Sequence, residues 1–220
     1  MLGRKPGVEM PFESGQPQGM GEVRTSQNSP LRIDAVRAGD AGGVIGMTLC
    51  PGKCGPSHAG APWKRDLETD LRAIRQWHAL AIVTCMEEPE LRTLGVANLG
   101  AATVAASLWW FTLPISDTDI PDLRFETAWR NLGQSICATL SNGGRLVVHC
   151  RRGLGRTGLV ASLMLIELGM RPDMAIQTVR KARPGAIETP AQESYVRHYQ
   201  PLFSLKRSDD MRAAASRRDP

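Results

Sequence analysis

The stretch VVHCRRGLGRTGLVASLML, residues 147–165, decides how the rest of the chain is read. An apolar run ends at His149, Cys150 follows, and two glycines and three arginines take five of the next six positions before apolar residues resume. That order suits a buried strand, a tight loop and a helix. A glycine-rich turn opening a helix aims free backbone N–H groups and the positive end of the helix dipole at one point, which favours a phosphate-sized anion. Gly153 and Gly155 let the backbone curl without side-chain obstruction, and Arg156 can fork two hydrogen bonds onto the same anion. Arg151, Arg152, Gly153, Leu154, Gly155 and Arg156 therefore form the candidate phosphate cradle, with Cys150 at its mouth. A field that binds an anion also stabilises a thiolate, so Cys150 is the candidate nucleophile.

Outward from this loop, strand and helix signals alternate. RLVVHC is a strand candidate before the loop, as are LRIDAV, GGVIGMTLC, ALAIVTC and SLWWFTLP upstream. Between them, PGKCGPSHAGAP carries Gly and Pro punctuation that predicts no regular structure. Leu67, Leu71, Ile74 and His78 share one face at helical spacing. Residues 87–106 are rich in Glu and Ala, and Asp122 can cap a helix with Phe125, Trp129, Leu132, Ile136 and Leu140 on its apolar face. Downstream, a helix from about Thr157 stops at Gly169, Pro172 opens another and Thr189-Pro190 the last. Strand and helix in alternation predict an α/β fold, a mostly parallel central sheet flanked by helices. Residues 1–30 and 205–220, polar and without either period, are expected to be flexible tails around a domain at 31–204.

The chain has 220 residues, 42% of them hydrophobic, which is enough for one sizeable core and short for two. Its net charge of +5, 27 basic against 22 acidic residues, favours anionic partners without the density expected of a nucleic-acid binder. The apolar runs are too short and interrupted to span a bilayer, and the N-terminus shows no secretory signal. Five cysteines are too few and odd in number for a disulfide framework, so reduced thiols and a cytoplasmic location are expected.

HCRRGLGRTG fits the Cys-x5-Arg-[Ser/Thr] signature and so resembles the protein tyrosine and dual-specificity phosphatase superfamily, including the preceding His149. Further likeness to the cyclin-dependent-kinase-associated branch lies in IGMTLCPGKC, VTCMEEPEL, LPISDTDIPD and AIETPAQESYV. The resemblance implies hydrolysis of phosphoserine, phosphothreonine or phosphotyrosine in proteins through a cysteinyl-phosphate, with no metal or other cofactor. A phosphoinositide substrate and a phosphate-binding module without turnover are the alternatives. It also implies a general acid upstream of the cysteine. Asp117, Asp119 and Asp122 are available; the Pro-Ile-x-Asp run selects Asp117, with Asp119 its competitor and Asp122 better suited to capping a helix. Thr157 is expected to hydrogen-bond the sulfur as it departs, or simply to open the helix, and His149 to tune the thiolate and brace the loop, or to be a plain buried histidine. Gln192 matches a glutamine that positions the hydrolytic water, but Thr189, Pro190 and Gln192 equally spell a capping box. Cys85, at the end of its strand, is the candidate redox partner of Cys150, with Cys50 and Cys54 as rivals. Arg151 and Arg152 make the rim more basic than in the kinase-associated relatives, unless they pair with Glu87 or Glu88. The loop 50–62, with Lys53 and His58, has no aromatic phosphotyrosine-recognition segment, which predicts a shallow pocket.

Overall fold

The computed structural model of the protein describes residues 22–57 and 60–203. Strands β1 (Asp34–Ala38), β2 (Gly43–Leu49), β5 (Ala81–Thr84), β6 (Trp109–Thr112) and β7 (Arg145–Cys150) make a five-stranded sheet in the order β1-β2-β7-β5-β6. All neighbours are parallel except β1, which runs antiparallel on the β2 edge. The fold expected from the alternation of elements is thus the one formed, and β7, the strand that feeds the glycine loop, lies at its centre.

The apolar run of β7 is buried on both faces because it serves two cores. Val147 faces a smaller cluster with Leu71, Ile74, Ile82 and Leu108, supplied by α1 (Leu67–Gln76) and the segment after α3 (Leu99–Ala105). Leu146 and Val148, one residue to either side, join the larger cluster under α4 (Leu123–Ser141), α5 (Gly155–Glu167), α6 (Pro172–Ala182) and α7 (Pro190–His198). Alternation at period two sends neighbouring side chains to opposite faces. Each such fully buried Leu, Ile or Val contributes roughly 2 kcal/mol, so the strand is held from both sides.

Several local expectations change. His78 does not continue the face of α1: the helix ends at Gln76, and His78 takes a left-handed backbone (φ 62°) where the chain turns into β5. The loop 50–62 is not wholly irregular, since β3 (Cys54–Gly55) pairs with β4 (Trp63–Lys64) over two residues. Its His58 lies outside the described residues. The helix after the loop starts at Gly155, two residues earlier than Thr157, with the arginine and threonine already inside its first turn. The Glu/Ala-rich stretch forms α2 (Glu88–Thr93) and α3. Residues 22–30, assigned from composition to the N-terminal tail, are tied to the body where described: Arg24 bridges Trp63, and Ser26 is buried against Asp66.

Candidate active site

β7 delivers Cys150 to the carboxyl edge of the sheet, and the chain then turns sharply. Gly153 has φ 73°, and a Cβ there would lie 2.2 Å from the Thr48 carbonyl oxygen, so only glycine lets the loop close on β2. The loop carbonyls are held from outside. Lys53 Nζ donates to the Arg151 carbonyl at 3.0 Å, Arg183 donates through Nη2 to that of Arg152 at 3.2 Å and through Nε to that of Gly153, and Gly158 N donates to that of Leu154 at 2.8 Å. In a trans peptide the next N–H points opposite to its carbonyl, so the amides of residues 152–155 turn toward the cavity. Gly155 N already holds an anionic oxygen there, Glu188 Oε2 at 2.8 Å.

Arg156 is 2% exposed and almost fully engaged. Its Nη1 and Nη2 donate to the two oxygens of Glu90 at 2.6 and 2.9 Å, Nη1 also to the Ile115 carbonyl at 2.9 Å, and Nη2 also to Asp117 Oδ1 at 2.7 Å. Among the described residues only its Nε–H has no protein acceptor, so the Nε/Nη2 edge is the one a bound phosphate can fork onto, at the expense of Asp117. Glu90, on α2, was not singled out from sequence; the only signal for it was its position as third residue of a capping box with Glu87.

Cys150, Arg156, Asp117 and Gln192, with Thr118, Arg151, Arg152 and Glu188, surround one cavity of about 140 Å³. Among the described residues no aromatic side chain lines it. Asp119 and Asp122 are absent from its walls. The Asp119 carboxylate accepts from the Ile120 amide at 2.8 Å, and that of Asp122 caps α4 through the amides of Arg124 and Phe125. Hydrogen bonds from Thr69 and Arg124 hold Asp66 and Asp122, respectively, below the usual carboxylate range, as helix caps do.

Gln192 takes the capping role that its sequence position allowed, and adds a contact that the sequence did not signal. With Thr189 it forms the capping box of α7, and its Nε2 donates to the Asp119 carbonyl at 3.0 Å, fastening the loop that carries Asp117. The Thr157 hydroxyl is fully buried and makes no hydrogen bond with a protein group, the Cys150 sulfur included. His149 is fully buried, its Nε2 2.8 Å from Thr84 Oγ1, which accepts from Trp110 Nε1 at 2.9 Å. Burial, with Arg156 adding, pushes this imidazole down to about 3, which keeps it neutral. Arg152 pairs with Glu188 rather than Glu87 or Glu88, which are taken by Arg124 and Arg92. Arg151 has no carboxylate partner among the described residues. Cys85 and Cys50 directly follow the strands on either side of β7: Thr84 is opposite His149 and Leu49 opposite Cys150. Burial pushes both thiols up, and both thiols, like Cys150, are free.

Residues 57–170, more than half of the chain, match the family model described as polymorphic toxin system, DSP-PTPase phosphatase. The chain belongs to this phosphatase family. Among curated relatives, human protein tyrosine phosphatase type IVA 3 is 42% identical over 67 residues, 30% of this chain and 38% of that one. Mouse cyclin-dependent kinase inhibitor 3 is 25% identical over 158 residues, 70% of this chain and 74% of that one. The chain thus spans well under half the length of the first of these. Among solved structures, kinase associated phosphatase with its catalytic-site cysteine changed to serine superposes with a TM-score of 0.66 at 24% identity, covering 76% of this chain and 93% of that one. PTPMT1 in complex with PI(5)P gives 0.55 at 18%, covering 83% and 99%. These two share the fold of the DSP-PTPase domain described here, and among the described residues no helix is long and apolar enough to cross a membrane.

Proposed function

We propose that the chain is a cysteine-dependent phosphatase of the dual-specificity type, hydrolysing phosphate monoesters of phosphorylated proteins in the reducing cytoplasm. One observation carries this reading: the loop amide of Gly155 and the Arg156 guanidinium each hold a carboxylate oxygen, from Glu188 and Asp117, within the cavity that Cys150 lines. A phosphate presents the same oxygens on a single centre and takes both places at once.

In the proposed reaction the Cys150 thiolate attacks phosphorus, the ester P–O bond breaks, and Asp117, released from Arg156, gives its proton to the departing oxygen. Water then attacks the cysteinyl-phosphate, Asp117 takes its proton back, and the P–S bond breaks to restore the thiolate. Thr157, whose hydroxyl has no competing partner, stabilises that thiolate by turning to it. His149, kept neutral by burial and held by Thr84, positions Cys150 from behind, and Gln192 holds the acid loop and the attacking water. A wall with no aromatic side chain among the described residues accommodates phosphoserine and phosphothreonine as well as phosphotyrosine.

The test is hydrolysis of p-nitrophenyl phosphate between pH 5 and 8 in EDTA. Wild type should turn over, Cys150→Ser should be silent, and Asp117→Asn should fall by about 10²-fold or more on alkyl phosphates, which need a protonated leaving group. A folded, reduced wild type that hydrolyses neither this ester nor phosphopeptides would overturn the proposal in favour of phosphate binding without turnover.

A further inference from the structure

Among the described residues two carboxylates line the catalytic cavity, Asp117 and Glu188, and the proposed reaction gives a step only to Asp117. Glu188 stands in the cradle itself: its Oε2 accepts from the Gly155 amide at 2.8 Å, while its Oε1 pairs with Arg152. We infer that Glu188 is a tethered competitor of the substrate's phosphate. It fills one oxygen position of the cradle in the free protein, leaves when a phosphate enters, and returns to displace inorganic phosphate at the end of the cycle. The inference rests on the phosphatase reading for the identity of the anion that Glu188 opposes.

The backbone around Glu188 is built to hold that place. Ile187, the residue before it, has φ 58°, a left-handed conformation that a β-branched residue adopts only where its surroundings impose it. Arg180 imposes it here, donating through Nη2 to the Ile187 carbonyl at 3.0 Å and through Nε to that of Ala186 at 3.1 Å. Gly158 leaves the room, since a Cβ there would lie 2.9 Å from the Ile187 nitrogen. On the other side the Glu188 amide donates to Gln192 Oε1 at 3.0 Å. A strained backbone, fastened at both ends, thus aims one flexible side chain at the catalytic loop.

The carboxylate also has a way out. Besides the catalytic cavity, Glu188 lines an outer one of about 410 Å³ together with Arg180 and Arg197, and the half-exposed Arg152 can follow it outward. A phosphate carries its oxygens on one centre and reaches Arg156 as well as the loop amides, so it displaces a single carboxylate oxygen. The competition lowers every occupant's affinity by one factor, set by the fraction of molecules in which the cradle is open. A substrate ester recovers that loss through contacts outside the cavity, whereas inorganic phosphate has none to draw on. Glu188 therefore limits inhibition by the product.

Titration calorimetry with inorganic phosphate reads the competition directly. Phosphate should bind Cys150→Ser/Glu188→Gln about tenfold more tightly than Cys150→Ser, the factor for a cradle that Glu188 fills in about nine molecules of ten. Cys150→Ser/Glu188→Ala should gain at least as much. A gain should remain when the proteins compared also carry Arg152→Gln, because it comes from the emptied amide and not from an arginine set free. Unchanged or weaker binding in both Glu188 variants would overturn the inference, and so would a gain that vanishes without Arg152. Where Cys150→Ser does not fold, inhibition of p-nitrophenyl phosphate hydrolysis by phosphate, in Glu188→Gln against wild type, reads the same ratio. The titration needs no turnover, which keeps the two readings apart: a gain in phosphate affinity beside a silent wild type removes turnover alone, and hydrolysis without the gain removes the competitor alone.

Discussion

Every group that holds Arg156 in place is far from it in sequence, and this sets how much of the site a reader of the chain can find. The loop itself was legible, because Cys150, Gly153, Gly155 and Arg156 lie in one short run between a buried strand and the first turn of a helix. Glu90, Glu188, Lys53 and Arg183, which hold its arginine, amide and carbonyls, are ordinary charged residues until the fold brings them together. Cys85 lay between these cases, a thiol at the end of a predicted strand, and the sheet order explains the ambiguity with Cys50, since β2 and β5 flank β7 on opposite sides. If peroxide oxidises Cys150 to a sulfenic acid, condensation with the Cys85 thiol forms an S–S bond and releases water. Peroxide-treated wild type should then regain activity with dithiothreitol, whereas Cys85→Ser should lose most of that recovery. Recovery unchanged in Cys85→Ser but lost in Cys50→Ser would assign the role to the other strand; recovery in both would remove the idea.

At the scale of elements, end signals and period were reliable where one residue type satisfies them locally. Asp122, Thr189 and Pro172 mark the starts of α4, α7 and α6, and Phe125, Trp129, Ile136 and Leu140 form the buried stripe of α4. Two kinds of element escaped. The β3–β4 ladder is two residues long and exists because each strand meets the other, which no single window shows. Helix α5 is buried along its whole length, so it has no polar face, and its start at Gly155 is set by the loop rather than by a capping side chain. The capping of α4 also separates two aspartates that are five residues apart. Asp122→Ala should cost about 1 kcal/mol of stability, the usual worth of an N-cap, read as a lower urea midpoint at unchanged slope. It should leave the pH profile of p-nitrophenyl phosphate hydrolysis in place, because Asp122 does not reach the cavity. Asp117→Asn should do the reverse, keeping the midpoint and losing the descending, alkaline limb that deprotonation of a general acid produces; an Asp122→Ala protein that loses that limb would mean that the acid had been misplaced.

For the molecule as a whole, placing the reactive loop at the centre of the sheet buries titratable groups with it, and their protons bound the range in which the fold is stable. His149 titrates near 3 in the folded protein against 6.5 ordinarily. As pH falls below about 6.5 the unfolded chain takes up this proton and the folded one does not, so stability declines toward pH 3, by at most about 1.4 kcal/mol per pH unit for one proton. On the alkaline side, Cys50, Cys85 and Cys137 are pushed up from 9.0 by burial, so above that value the unfolded chain gives up thiol protons that the folded one keeps, and stability declines again. Lys53 works in the opposite sense between about 8 and 10.5, because there the unfolded chain holds the extra proton. These shifts leave a plateau from about pH 6.5 to 8, a rise from 8 to 9 where Lys53 acts alone, and a decline above 9 where three thiols outweigh one lysine. Urea midpoints measured in half-unit steps from pH 4.5 to 10 should trace it. His149→Gln should flatten the fall between pH 6.5 and 4.5, whatever it does to the absolute midpoint, since glutamine binds no proton in either state. A wild-type midpoint that stays level from pH 6.5 to 4.5 would mean that His149 takes its proton without unfolding, and with it would go the neutral ring proposed to position Cys150.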